Sequence, residues 1–244
     1  MDVITKSFGE EENRTSLTGR GLLSNTSPSW WENRWGSNHF VWSNDFNNEV
    51  RLEAGGELDV PGIKLKLSGD YALLTNYIYT GREATPAQFD GSVSLLSLRL
   101  EKNIKFWKIN FNNRFLFQKV SHDDIIPLPL LSLKSSLYFD HEFHFKVTGG
   151  RLQFQLGVDL LYHTKYYAPA YMPATGFYYN QDRTEIGNYP FIDAYACLKL
   201  KRTRIFVMFD HVNQGLMGYN YFMVPGNPMP VRTFKYGFAW TFYN

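Results

Sequence analysis

Cysteine is almost missing from this sequence: Cys197 is the only one in 244 residues. A disulfide framework and a cysteine-built zinc site are thereby excluded. An excess of charge of one sign is missing too, since 25 Lys and Arg stand against 23 Asp and Glu, for a formal net charge of +2. That balance gives no electrostatic argument for a nucleic-acid partner, and none is expected. The longest uncharged stretch, residues 212–231, contains Gly215, Gly218, Pro225, Gly226, Pro228 and Pro230. A spanning helix there would lose backbone hydrogen bonds that lipid cannot replace, so the stretch reads as a loop. A mean hydropathy of -0.33 argues against a helical membrane protein. It does not exclude a barrel, in which only alternate residues meet lipid. The first residues, MDVITKSFGEEENRT, lack a basic stretch followed by an apolar one, so no secretory signal is read there.

Aromatic residues, by contrast, are plentiful: 20 Phe, 16 Tyr and 6 Trp make up 17% of the chain. A disordered chain does not carry so many, and some packed or lipid-facing surface must take them up. Their spacing says which. In RTFKYGFAWTFYN, from Arg232, the residues Phe234, Tyr236, Phe238, Trp240 and Phe242 share one parity, and Lys235, Gly237, Ala239 and Thr241 the other. A period of two is the mark of a strand. The same alternation runs through residues 50–60, 63–73, 96–100, 107–118, 137–147, 152–162, 192–200 and 205–209, which makes nine strands with the last. Their apolar parity carries no Asp, Glu, Lys or Arg; its main polar exceptions are Asn113, His141 and His211.

Connection lengths form a second pattern. Tight links are expected at 61–62, 103–104, 149–150 and 202–203, and long ones at 81–90, 122–131, 167–189 and 213–231, in strict alternation. In an antiparallel meander this puts hairpin turns at one end and long loops at the other, as in outer-membrane barrels. A soluble up-and-down barrel also alternates, with its apolar set pointing inward. Strand lengths that suit a tilted crossing favour the lipid-facing assignment, as do the aromatics near strand ends. The proposed interfacial girdle is Tyr77, Tyr79, Tyr162 and Tyr166 at the loop end, with Trp107, Trp240 and Phe242 at the turn end.

The stretches KYYAPAYMPATGFYYNQ (165–181), IGNYPFIDAY (186–195), DHVNQGLMGYNYF (210–222) and PMPVRTFKYGFAWTFYN (228–244) resemble the C-terminal half of the putative porin family of Bacteroidetes outer membranes. LLTNYIY (73–79) and VSHDDIIPLPLLSL (120–133) fit it as well, and the resemblance covers residues 38–244. It implies an all-β, antiparallel up-and-down transmembrane β-barrel in a bacterial outer membrane, with lipid and small solutes as its partners. It also implies recognition of the terminal aromatic strand by the barrel-assembly machinery. Nine strands is an odd count for such a barrel, so the chain is expected to be a C-terminal fragment of a larger one, the signal peptide lying in the missing part. Residues 1–37, without visible period, are expected to be a loop-like or disordered remnant, and 38–244 the barrel strands with short periplasmic turns and long extracellular loops.

No catalytic constellation stands out. His141-Glu142-Phe143-His144 is one residue short of a zinc-protease spacing and lies on a strand, which sends its two His to opposite faces. His122-Asp123-Asp124 reads as a solvated loop tip, and Cys197 has no redox partner. The chain is not expected to be an enzyme, and no metal or cofactor is expected. The polar parity reads as a lumen wall formed by Arg51, Lys64, Lys66, Arg99, Lys108, Arg114, Asp140, Glu142, Asp159, Lys165, Asp193, Lys199, Asp210 and Lys235. Both signs are mixed along it, where strong ion selectivity would need rings of one sign. The aromatic loop from Tyr166 to Tyr179 is read either as a constriction or as an interfacial collar. Three functions stay open: a porin-like barrel passing small solutes by diffusion, a non-conducting outer-membrane barrel that docks an envelope complex, and a soluble barrel binding a lipophilic ligand.

Overall fold

The computed structural model describes residues 2–8, 14–145 and 150–242. Eleven strands form one sheet: β1 (Asp2–Phe8), β2 (Thr15–Thr26), β3 (Glu49–Val60), β4 (Leu65–Thr75), β5 (Ser92–Phe106), β6 (Ile109–Val120), β7 (Leu131–Phe145), β8 (Gly150–His163), β9 (Phe191–Leu200), β10 (Thr203–Asp210) and β11 (Thr233–Trp240). Each is antiparallel to the next, so order in the sheet is order in the chain. β1 and β11 do not pair among the described residues, and the sheet is open. Among the described residues helix is confined to Trp30–Asn33 and a 3-10 turn at Pro61–Ile63, and none of it is long and apolar enough to cross a membrane.

The register shows why alternation forces this sheet. Leu58, Leu67, Leu100, Phe115, Leu133 and Tyr162 are successive partners across six strands. One residue away, Asp59, Lys66, Glu101, Arg114 and Lys134 form the neighbouring row. Side chains of adjacent rows point to opposite faces. A slip of one residue would exchange the leucines for the charges, so every strand is held in register by the same criterion.

All nine expected strands are present, and two more precede them. The expectation of a loop-like or disordered segment at 1–37 is corrected by β1 and β2, whose partners run in register from Asp2↔Gly21 to Thr26↔Glu49. Their period is hard to see because Gly19 and Gly21 occupy the apolar parity of β2 beside Leu17 and Leu23, and Lys6 takes the same parity in β1. The tight link expected at 103–104 lies instead at Trp107–Lys108, because β5 continues to Phe106. Lys102, on the apolar parity of β5, interrupts the pattern; its ammonium donates to the Ile63 carbonyl oxygen at 2.5 Å, reaching the turn end of the sheet. The turn expected at 149–150 and the strand end at Lys146 and Val147 fall outside the described residues, as do Tyr243 and Asn244.

Tight turns use left-handed backbone at Lys64 (φ 51), Trp107 (φ 53) and Lys201 (φ 51), residues that give no turn signal in a sequence. The long connections, 27–48, 76–91, 121–130, 164–190 and 211–232, all leave the opposite end. Most of the closely packed interior lies there: Trp42, Ile78, Ile125, Ala168, Ile186 and Tyr189 are buried in or beside these loops.

Candidate functional site

The two faces of the sheet differ in what covers them. Along the apolar face Leu52, Leu156 and Phe238 are exposed by 51%, 52% and 75%, and no other described part of the chain lies over them. The three polar exceptions on this parity are each provided for. Ser135 donates to Asn113 at 2.8 Å, and both are buried. His141 Nε2 lies 2.9 Å from the Lys108 ammonium, which also sits 4.6 Å above the Trp107 ring. His211 has φ 53, and this left-handed step turns its ring to the other side of the sheet, 4.4 Å from Phe191. There its Nδ1 donates to the Pro230 carbonyl at 2.9 Å, and its Nε2 lies 2.7 Å from the Tyr189 hydroxyl.

The polar face is laced by ion pairs. Arg20 reaches from β2 across β3 to Asp70 of β4, passing over Gly55, where a side chain would collide with the pair. Arg51 holds Glu53, Lys66 holds Glu57 at 2.8 Å, and Arg114 holds Glu101 at 2.9 Å. Asp159 accepts from Ser136 at 2.5 Å, Asp140 lies 3.5 Å from the Gln153 amide, and Glu142 is 3.0 Å from His144 Nε2. Asp193 accepts the His211 backbone N–H at 2.7 Å, and Asp210 pairs with Lys235. Arg51 and Arg99 border a cavity of about 320 Å³, while Lys199 borders one of about 120 Å³ beside Cys197 and Arg204. Both signs are mixed along the described face, with like charges side by side at Asp159–Asp193 and Lys199–Arg204, and no ring of one sign forms on it.

Three expected wall residues are placed elsewhere. Lys64 is the exposed left-handed residue that ends the turn after β3. Lys108 lies in the next turn, its ammonium against His141, a residue of the apolar parity. Lys165 follows the end of β8 and borders a loop crevice of about 530 Å³. Each stands where the strand has ended, and the alternation rule does not extend past that point.

Of the expected girdle, Trp107 is exposed in its turn, and Trp240 and Phe242 stack at 6.1 Å near the same end. Tyr162 donates to Asn188 at 2.7 Å, and Tyr77 and Tyr79 are half-buried beside the loops. The Tyr166 ring meets His163, a residue of the polar parity, at 5.5 Å and lies between two cavities. Burial pushes the phenols of Tyr77, Tyr166 and Tyr189 above the ordinary tyrosine range, so these loop tyrosines act as neutral hydroxyls.

The long loops form a continuous cap. Residues 164–190 carry a small ribbon, Ala170–Met172 paired with Phe177–Tyr179. Phe177 stacks on Trp31 at 4.4 Å, and Asn180 bonds to Thr80, Asp124 and Ile125 of two other loops. Arg82 and Asp182 add an ion pair at 2.7 Å. The roots of the loops that carry Phe177 and Trp31 are five strands apart, about 24 Å along a flat sheet at the usual strand spacing. Their meeting makes residues 164–190 a roof bridging the loop end of the sheet.

Among the described residues no group of three His, Cys, Asp or Glu is placed to hold a metal ion. No curated protein and no solved structure matches the chain. The family model described as Putative porin matches residues 4–244, and with an all-β antiparallel sheet of amphipathic strands behind that match, the chain belongs to this family.

Proposed function

We propose that the chain forms the wall of an outer-membrane β-barrel through which small solutes pass by passive diffusion. One observation carries the reading: the apolar face of the sheet is uncovered while the opposite face carries the charges, several of them in ion pairs. An apolar surface this large is unsuited to water and suited to lipid. In lipid, unpaired backbone groups cost several kcal/mol each, so the reading requires the edges of β1 and β11 to be paired in the inserted protein. It takes membrane lipid as one partner, solutes as another, and the barrel-assembly machinery as the reader of β11, whose Phe234, Tyr236, Phe238 and Trp240 are exposed.

Cys197 provides the test. It is the sole cysteine and lies at a polar-face position of β9, between Gln155 and Phe206 in register. The full chain in planar bilayers should give a steady current, and an anionic methanethiosulfonate reagent should reduce it in the wild type but not in Cys197→Ser. Labelling without any current would support the second reading, a barrel that docks an envelope complex. That reading is favoured by the exposed Leu216, Met217 and Tyr219 in the last long loop. A chain that remains in the aqueous phase on detergent partitioning would sink both and leave the soluble lipophile-binding barrel.

A further inference from the structure

On the polar side of the sheet, at the loop ends of β7, β8 and β9, lies a cavity of about 250 Å³ that the ion-pair network does not reach. Ser132 opposite His163 and Leu161 opposite Phe191 supply its floor. Tyr166 and Tyr189 form walls, and Tyr221, Phe222 and Met223 of the last long loop lie over it. No Asp, Glu, Lys or Arg lines it, although charges fill the rest of the same face. A charged solute would shed its hydration there without a counter-ion, so the fitting occupant is neutral. The volume lies below the usual range of about 300–1,000 Å³ for drug-sized ligands, which suits a single ring.

The polar atoms narrow the chemistry. His163 Nδ1 is 3.1 Å from the Thr164 carbonyl oxygen. A carbonyl cannot donate, so Nδ1 carries a proton, and in that tautomer Nε2 is an acceptor. Gly187 makes room for that ring: it has φ 104, and a Cβ there would come within 2.6 Å of Nδ1. Asn220 donates its amide to the Gly187 carbonyl at 2.9 Å, which leaves its own oxygen as a second acceptor. Ser132 adds a hydroxyl that can do either. Two acceptors and a hydroxyl suit a ligand rich in O–H groups, and the aromatic and methionine walls suit an apolar C–H face. A pyranose presents both.

We infer that this cavity is a subsite for one neutral monosaccharide unit at the mouth of the solute path. Its role, though not its binding chemistry, rests on the channel reading. The test is saturation-transfer NMR on the full chain in detergent micelles, titrated with D-glucose, D-glucuronate and indole, beside the bilayer current. Glucose should give a saturable signal, with glucuronate at least tenfold weaker. Tyr221→Ala should weaken glucose binding about tenfold, the scale of one lost aromatic contact, and Tyr221→Phe should keep it. Phe222→Ala, a second lid variant, should weaken it similarly without touching the Tyr221–His211 contact. Heat-modifiable mobility on gels checks that each variant is folded. No saturable glucose signal from folded protein, equal binding of glucuronate, or stronger binding of indole would each overturn the subsite. Glucose binding without current overturns the channel and leaves the subsite standing, and current without glucose binding does the reverse.

Discussion

Glycine has two distinct uses at residue scale on the polar face. At Gly157, a Cβ would sit 2.5 Å from the Tyr195 ring and 2.8 Å from the Tyr138 Cβ, so glycine lets two tyrosines on flanking strands approach. At Gly55 it clears the path of the Arg20–Asp70 pair, because a Cβ would overlap the Asp70 carboxylate. Gly55→Ala is therefore expected to break the pair and cost about 1 kcal/mol, the ceiling for an ion pair with a third of each side chain exposed. In a double-mutant cycle the same loss should be largely absent when Asp70 is already alanine, read as urea unfolding midpoints in lipid vesicles. Additive costs would mean that the strand backbone, not the pair, responds to the methyl group. Asp210 sits differently: its side chain is 8% exposed against 54% for Lys235, and one carboxylate oxygen has no partner among the described residues. Lys235→Met should cost about 2–3 kcal/mol by stranding that carboxylate, and Asp210→Asn in the same chain should recover most of it. Equal unfolding midpoints for the single and double variants would rule out an unpaired charge as the cause.

At the element scale, parity is the rule that builds the sheet, and substitutions should obey it. Leu156 and Gln155 are neighbours in the middle of β8, the first between Phe139 and Ala196, the second between Asp140 and Cys197. Leu156→Arg puts a charge on the uncovered apolar face and should cost about 2–4 kcal/mol in a bilayer. Gln155→Arg places the same charge beside Asp140 and should change stability by less than about 0.5 kcal/mol. Equal costs in vesicle unfolding would contradict the lipid-facing assignment. The same rule explains what could be read without coordinates. Nine strands were legible because their outward residues are large and uncharged. β1 and β2 were hidden by Lys6, Gly19 and Gly21 on that parity, and their signal survives only in pairing with β3. The turn at Trp107–Lys108 was misplaced because Lys102 ends the visible pattern early. Alternation measures the environment of a side chain, and Lys102 meets its environment at the sheet's end rather than at its own Cα.

For the whole molecule, the sorting of loops to one end was legible from link lengths, but their mutual packing was not. Trp31 and Phe177 are 146 positions apart, and nothing local in either segment announces the contact. The candidate site shows the same division: most of the charged face follows from parity, while the aromatic cavity depends on two loops folding back together. His211 illustrates the limit, since one left-handed residue carries its ring to the opposite face from the one alternation gives it. The roof of residues 164–190 separates the two readings of that loop. Its links to Trp31, Thr80, Asp124 and Ile125 tie it to loops across the end of the sheet, which a collar facing lipid would not need. Phe177→Ala with Asn180→Ala removes the stack and the amide bonds but leaves the strands untouched. If the roof narrows the mouth, this double variant should admit larger neutral solutes: liposome swelling in trisaccharides should rise severalfold towards the monosaccharide rate. The monosaccharide rate itself should change little, because the charges of the polar face are unchanged. Unaltered swelling for every sugar size, with the variant folded, would instead make residues 164–190 a collar that plays no part in admission.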